Sequence, residues 1–172
     1  MKRFAVLLAV AALLAASLPA PAQQAGLPKA EAQAFWRYIS QTNPYRHWQM
    51  WPGKPAFYPG TMPHGALLTT YVNDIALKAL QEGQPQMPPG AIIVKENYDQ
   101  AKKLMAITTM YKEEGYDPPH NDWFYVKYSP EGMVMDKAAG KVAECINCHG
   151  QRAANDYLFT GKLGQPAAGG GR

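Results

Sequence analysis

The chain has 172 residues, 47% hydrophobic, 11% aromatic and 17% charged, so it is too apolar for a disordered tail and long enough to pack as one domain. Its 17 Lys and Arg stand against 13 Asp and Glu, a formal charge of +4 that falls further without Lys2 and Arg3, and no basic run occurs, so nucleic acid is not an expected partner. Two cysteines exclude a disulfide-dense scaffold.

At the N-terminus Lys2-Arg3 precedes an apolar run from Phe4 to Leu14, and small residues follow, ending in Ala20-Pro21-Ala22. This is the pattern of a cleaved secretory signal over residues 1–22. The run is shorter than the roughly 20 apolar residues a bilayer core needs, and Pro19 and Pro21 break its end. No cysteine lies near the cut to accept a lipid, so the mature chain is expected in the periplasm without a membrane anchor. In that oxidising compartment its two cysteines either pair or are consumed by a cofactor.

Within Lys29 to Gln41, Ala32, Phe35, Trp36 and Ile39 recur at helical spacing and predict an amphipathic helix. From Asn43 to Gly65 prolines and glycines recur, which predicts a long aromatic-rich loop. Ala66 to Val72 reads as a strand, and Asn73 can cap a short helix that stops at Gly83. Beyond Pro85, Pro88, Pro89 and Gly90, the β-branched content of Ala91 to Lys95 and of Leu104 to Lys112 predicts two more strands. Trp123 to Tyr128 is a further strand, with Trp123, Tyr125 and Lys127 on one face and Phe124, Val126 and Tyr128 on the other, so at least one aromatic row must be buried. Gly140 to Ala154 is compatible with a helix, and the Gly/Pro/Ala tail over 164–172 is expected to fray. The fold class these elements imply is α+β, a mainly antiparallel β-sheet with flanking helices packed on one face, forming a single domain over residues 23–163. A four-helix bundle is the rival, opposed by the β-branched and aromatic runs.

One motif states a chemistry. Cys145-Ile146-Asn147-Cys148-His149 is C-x-x-C-H, the attachment sequence of c-type haem. On a helix, positions three apart lie on one side, so both thiols can reach the two vinyl groups of one porphyrin, and His149 is then held where a ring nitrogen can bond the iron. A redox or plain disulfide is the alternative, against which stand the following histidine and the lack of a βαβ pattern. A zinc site needs further ligands, whereas His47, His64 and His120 are isolated in the sequence.

The sixth iron position decides whether such a haem only passes electrons or binds and transforms a small ligand. Met62, Met105, Met110, Met133 and Met135 can each donate a thioether, although Met at regular spacing is more often core filler. His64 and His120 read as hydrogen-bonded loop residues rather than ligands.

The sequence from about Asn43 to Thr160 resembles the cytochrome P-460 proteins and their relatives, the cytochromes c-prime-beta. The likeness is carried by Tyr45-Arg46-His47-Trp48, Val94-Lys95-Glu96, Trp123-Phe124-Tyr125, Cys145 to His149, and Asp156-Tyr157-Leu158-Phe159-Thr160. The resemblance implies a homodimeric, mostly antiparallel β fold with helices, holding one five-coordinate haem c through Cys145 and Cys148 with His149 as axial ligand. It further implies a third covalent link from Lys95 to a meso carbon of the porphyrin, which the cytochromes c-prime-beta lack. A strand lysine facing an apolar macrocycle is desolvated, loses its proton more readily and becomes nucleophilic.

Members of the first group oxidise hydroxylamine to nitrous oxide and nitrogen oxides, passing electrons to a soluble acceptor cytochrome. Members of the second bind nitric oxide or other diatomic gases, and a simple electron-transfer cytochrome c is a third reading. Oxidation also needs a proton acceptor, for which Glu96, Glu131, Asp136 and Glu144 are candidates by type, Glu96 and Glu144 foremost. Phe57, Tyr58, Trp48 and Trp51 are candidate walls of the pocket.

Overall fold

The computed structural model describes residues 26–167, so the expected leader and residues 168–172 of the tail lie outside it. Its centre is a seven-stranded antiparallel sheet. The strands are β1 (Gln49–Met50), β2 (Tyr58–Pro59), β3 (Leu67–Val72), β4 (Ile92–Tyr98), β5 (Leu104–Lys112), β6 (Trp123–Tyr128) and β7 (Val134–Gly140). They run in the order β1-β3-β4-β5-β6-β7, with β2 also pairing on β3. The α+β architecture expected from the sequence is the one observed. Among the described residues no helix is long and apolar enough to cross a membrane.

Period-two alternation buries both faces of this sheet. On one, Ile92, Val94, Ile107, Tyr111, Phe124, Val126 and Tyr128 pack beneath Phe35 and Ile39. These last two come from α1 (Ala32–Arg37) and the wider helical turn Tyr38–Thr42 that continues it. On the other face Val72, Ile93, Met110, Trp123 and Tyr125 pack against Ala76, Ala79 and Leu80 of α2 (Asp74–Glu82) and against Cys145 and Ile146 of α3 (Ala143–His149). The helices therefore lie on both faces, not one. The cause is legible in β6, whose two aromatic rows both demand cover.

Local signals account for most boundaries. The Asn73 side chain accepts from the backbone N–H of Ala76 at 3.0 Å, capping α2, and from that of Ile92 at 3.0 Å, tying the helix to β4. Gly83 ends α2 with φ +67°, a left-handed conformation that glycine adopts without a Cβ penalty. The span read as one helix from Gly140 to Ala154 instead begins with the last residue of β7, then α3, then a 3-10 stretch over Gly150–Asn155. β7 itself was not expected. Asp136 and Lys137 interrupt it with φ +52° and +55°, and Asp, Lys, Ala and Gly carry little strand propensity. Within the tail, Gly164 donates its N–H to Gln84 and Ala167 to Leu80, so the chain stays docked on the end of α2 as far as it is described.

Candidate haem site

The strand register builds the floor of a cavity. Ile93 pairs with Met110 and Met110 with Tyr125, and in the next row Lys95 pairs with Thr108 and Thr108 with Lys127. Both rows face the same side of the sheet, and with Asn97 and Ala106 they line a cavity of about 400 Å³. Cys145, Cys148 and His149 of α3 face it from above, Leu158 and Phe159 close one flank, and Pro63 and His64 another.

The two thiols lie one helical turn apart, are not joined to each other, and both face this cavity. Burial first, then Glu144 and Cys148, raise the Cys145 thiol's proton affinity. That is the reverse of the lowered pKa of a thioredoxin-type nucleophile and argues against a redox C-x-x-C pair. His149 donates its Nδ1–H to the carbonyl oxygen of Tyr157 at 2.7 Å, which leaves Nε2 as the bare nitrogen, the form a metal requires. Burial, partly opposed by that hydrogen bond and reinforced by Lys95, lowers its pKa and keeps the ring neutral. The rings of Tyr125 and Phe159 lie 5.5 Å from it, centre to centre.

The carbonyl that orients His149 is itself held in place. Asp156 and Tyr157 have φ +52° and +65°, two successive left-handed residues that turn the chain back on α3. The strain is met by a buried network around the Asp156 carboxylate. Lys112 Nζ donates to it at 2.6 and 2.8 Å, Asn121 Nδ2 at 2.9 Å, and the Met87 N–H at 2.8 Å. Trp123 Nε1 donates to the Asp156 carbonyl at 3.0 Å. Sequence reasoning missed Lys112, Asn121 and Asp156 in this role, because the three converge only through tertiary structure.

Lys95 projects from β4 into the cavity. Burial, and secondarily the charge of Lys54, lower its pKa to about 8, so a substantial neutral fraction exists near physiological pH. Glu96, its neighbour, lies on the opposite face because successive strand residues alternate. There its carboxylate is buried and accepts from Tyr45 Oη at 2.7 Å, Arg46 Nε at 3.1 Å and Tyr98 Oη at 2.5 Å. Glu96 is thus a structural anchor and not a proton acceptor in the cavity, which its residue type had made it a candidate for.

The other carboxylates stand outside the interior. Glu144 is exposed on α3 at the cavity rim, and Asp136, also at the rim, pairs with Lys127 at 2.6 Å. Glu131 is exposed in the turn before β7 and does not line the cavity.

The expected aromatic walls also lie elsewhere. Phe57 packs on Tyr98, Tyr58 hydrogen-bonds Thr70, Trp48 hydrogen-bonds Asn43, and Trp51 joins the core beside α2. Those stations are filled by Tyr125 and Phe159. Of the methionines considered, Met110 alone lines the cavity, while Met62, Met105 and Met133 are exposed. His120 pairs with Asp117 at 2.9 Å, whereas His64 reaches the cavity itself. Burial and Lys95, against an opposing bond from Asn97, hold the His64 pKa down to about 4.

The donor set fits a haem. Two unpaired thiols at i and i+3, a neutral imidazole with Nε2 free and a mostly apolar cavity converge on one side of the sheet. The Tyr125 hydroxyl, buried and without a partner among the described residues, marks the same cavity as built around something further. A family model described as Cytochrome P460 matches residues 42–160, which takes in the whole sheet, α3 and the segment that orients His149. No curated protein matches the chain. With well over half its length covered by that model and the donors for a haem gathered at its centre, the chain belongs to the cytochrome P-460 family of haem proteins.

Proposed function

We propose that this chain is an exported, periplasmic mono-haem c protein that oxidises hydroxylamine to nitrous oxide and nitrogen oxides. In this reading Cys145 and Cys148 hold the haem through thioethers, His149 is the axial ligand, Lys95 adds a third covalent link, and the protein works as a homodimer that passes electrons to a soluble acceptor cytochrome. Bound haem supplies an iron centre that can take a small nitrogenous ligand and accept electrons from it.

The observation that carries the reading is Lys95. It faces the same cavity as the thiols and His149, and its pKa of about 8 leaves an amine lone pair available at mildly alkaline pH. The chain's other contributions are positional. Tyr157 fixes the ring of His149 through its carbonyl, and Leu158 and Phe159 give one flank of the cavity an apolar lining.

A second reading, a cytochrome that binds nitric oxide or another small ligand without turnover, is favoured by one observation. The carboxylates that could take protons sit at the rim, as Asp136 and Glu144 do, or on the far face, as Glu96 does. The absorption spectrum of the matured ferrous protein separates the readings. A cross-linked ring gives a red-shifted band that Lys95→Ala abolishes, and an unchanged spectrum in that variant rejects the link. Steady hydroxylamine oxidation with an added electron acceptor then distinguishes enzyme from binder.

A further inference from the structure

We infer that His64 is a second, displaceable axial ligand of the iron, opposite His149, so that the resting protein is six-coordinate. This rests on the haem attachment proposed above and departs from the five-coordinate iron that the family resemblance implies.

The two imidazoles line one cavity with their centres 6.3 Å apart and their planes at 89°. A histidine nitrogen sits about 2 Å from a first-row metal ion and its ring centre roughly 1 Å further back, so two rings that share one ion stand about 6 Å apart. A group acting on a substrate held at the iron has to stand further off, because the substrate occupies the space between. The spacing therefore suits ligation and not proton transfer across a bound molecule.

Both rings are also prepared in the same way. His149 Nδ1 is committed to the Tyr157 carbonyl at 2.7 Å, and His64 Nδ1 to Asn97 Oδ1 at 3.0 Å. The Asn97 amide cannot be turned round, since its Nδ2 donates to the carbonyls of Lys95 and Ala106 and to Thr108 Oγ1 at 2.8, 3.2 and 3.1 Å. Oδ1 is thus the atom that meets His64, which must donate from Nδ1 and present a bare Nε2.

The anchoring of the two rings differs. His149 stands on α3 and is backed by the buried Asp156 network. His64 stands on the segment between β2 and β3, where Thr61, Met62 and Pro63 are exposed. That segment is tied back at its ends, where the Gly60 N–H donates to the Ala66 carbonyl at 2.8 Å and the Gly65 N–H to Asn97 Oδ1 at 3.3 Å, and a Cβ on Gly65 would lie 2.6 Å from the Tyr98 backbone nitrogen, so only glycine permits this approach to β4. One ligand is held firmly and the other on a loop, which makes His64 the one an incoming molecule displaces.

The test uses the matured ferric protein, read by electron paramagnetic resonance and absorption. The wild type is expected to be low-spin and His64→Ala high-spin, with low spin restored by added imidazole. Cyanide association should quicken by about tenfold or more in the variant, because only the unligated fraction reacts. His64→Gln, which keeps a donor towards Asn97, serves if the alanine variant does not fold. A high-spin wild type overturns the inference. So does a low-spin signal that persists in the His64 variants, or one lost instead in Met110→Leu or Lys95→Ala, two other donors in the cavity. Colourless, iron-free protein overturns the haem reading itself, whereas a coloured high-spin protein overturns only the role of His64.

Discussion

The Nδ1–H of His149 meets the carbonyl of Tyr157, and the residue before that carbonyl, Asp156, is the most heavily bonded carboxylate on this side of the sheet. Orientation of the proposed iron ligand is thereby tied to the core. Lys112 on β5, Trp123 on β6 and Met87 before β4 all hold Asp156, so the strands set where the Tyr157 carbonyl points.

Asp156→Ala should therefore do two things. It leaves the buried Lys112 ammonium without its counter-charge and should destabilise the fold by about 3–5 kcal/mol in denaturant unfolding. It also releases the Tyr157 turn, so in whatever fraction folds, the haem reduction potential should move as His149 loses its fixed hydrogen bond. A stable variant with an unmoved potential shows that the Tyr157 carbonyl is placed by other means.

Glu96→Gln tests the separation of the two sheet faces. The carboxylate is held by Tyr45, Arg46 and Tyr98, and the tyrosines' own burial, then their hydrogen bonds to Glu96 and its charge, raise the proton affinity of both hydroxyls. Replacing a charged acceptor by a neutral amide should cost about 1.5–3 kcal/mol of stability. The haem spectrum and any hydroxylamine oxidation per folded molecule should not change. A selective loss of activity would place this side chain in the reaction after all.

Much of this arrangement is legible in the sequence. Asn73 and Gly83 announce α2, β-branched and aromatic runs announce β3 to β6, and C-x-x-C-H announces the site. The face on which Glu96 lies is also implicit, because it adjoins Lys95 in a strand and the two must point apart. β7 is invisible because its two left-handed residues and its Ala and Gly break every periodic signal, and the strand exists only by pairing with β6. Phe57, Tyr58, Trp48 and Trp51 mislead for a related reason. Aromatic density identifies burial but not which side of the sheet is covered. His64 is hidden because its partner, Asn97, lies 33 residues away.

Alkaline pH should weaken the fold through its buried tyrosines. Tyr111 stacks on Phe35 and donates to the Pro28 carbonyl at 2.9 Å, and burial, then Glu113 and Tyr38, raises its pKa from 10.0 to about 12. A raised folded pKa means that the native state holds its proton longer than the unfolded chain does. The stabilisation is complete below pH 10 and is lost as pH rises through 12. Tyr111→Phe should flatten the fall in unfolding free energy over that window by up to about 1.4 kcal/mol per pH unit. An identical slope in wild type and variant would show that Tyr111 does not contribute.

The amine of Lys95, and not merely its charge, is what the proposed cross-link needs. With a pKa of about 8 the side chain spends part of its time neutral, with a lone pair facing the cavity. A guanidinium stays protonated at any pH the fold survives, so Lys95→Arg keeps the positive charge and much of the length but has no nucleophile. Joining the amine to a ring carbon replaces one N–H and one C–H bond by an N–C bond, and the two electrons and two protons released pass to a two-electron oxidant of the peroxide class, which is reduced to water. After proteolysis, the wild-type fragment containing Lys95 should remain with the haem-bearing fragment that contains Cys145 and Cys148. In Lys95→Arg the two should separate, and the ferrous spectrum should become that of an ordinary haem c. If the fragments separate in the wild type as well, the lysine is only a buried neighbour of the ring, and the gas-binding reading replaces oxidation.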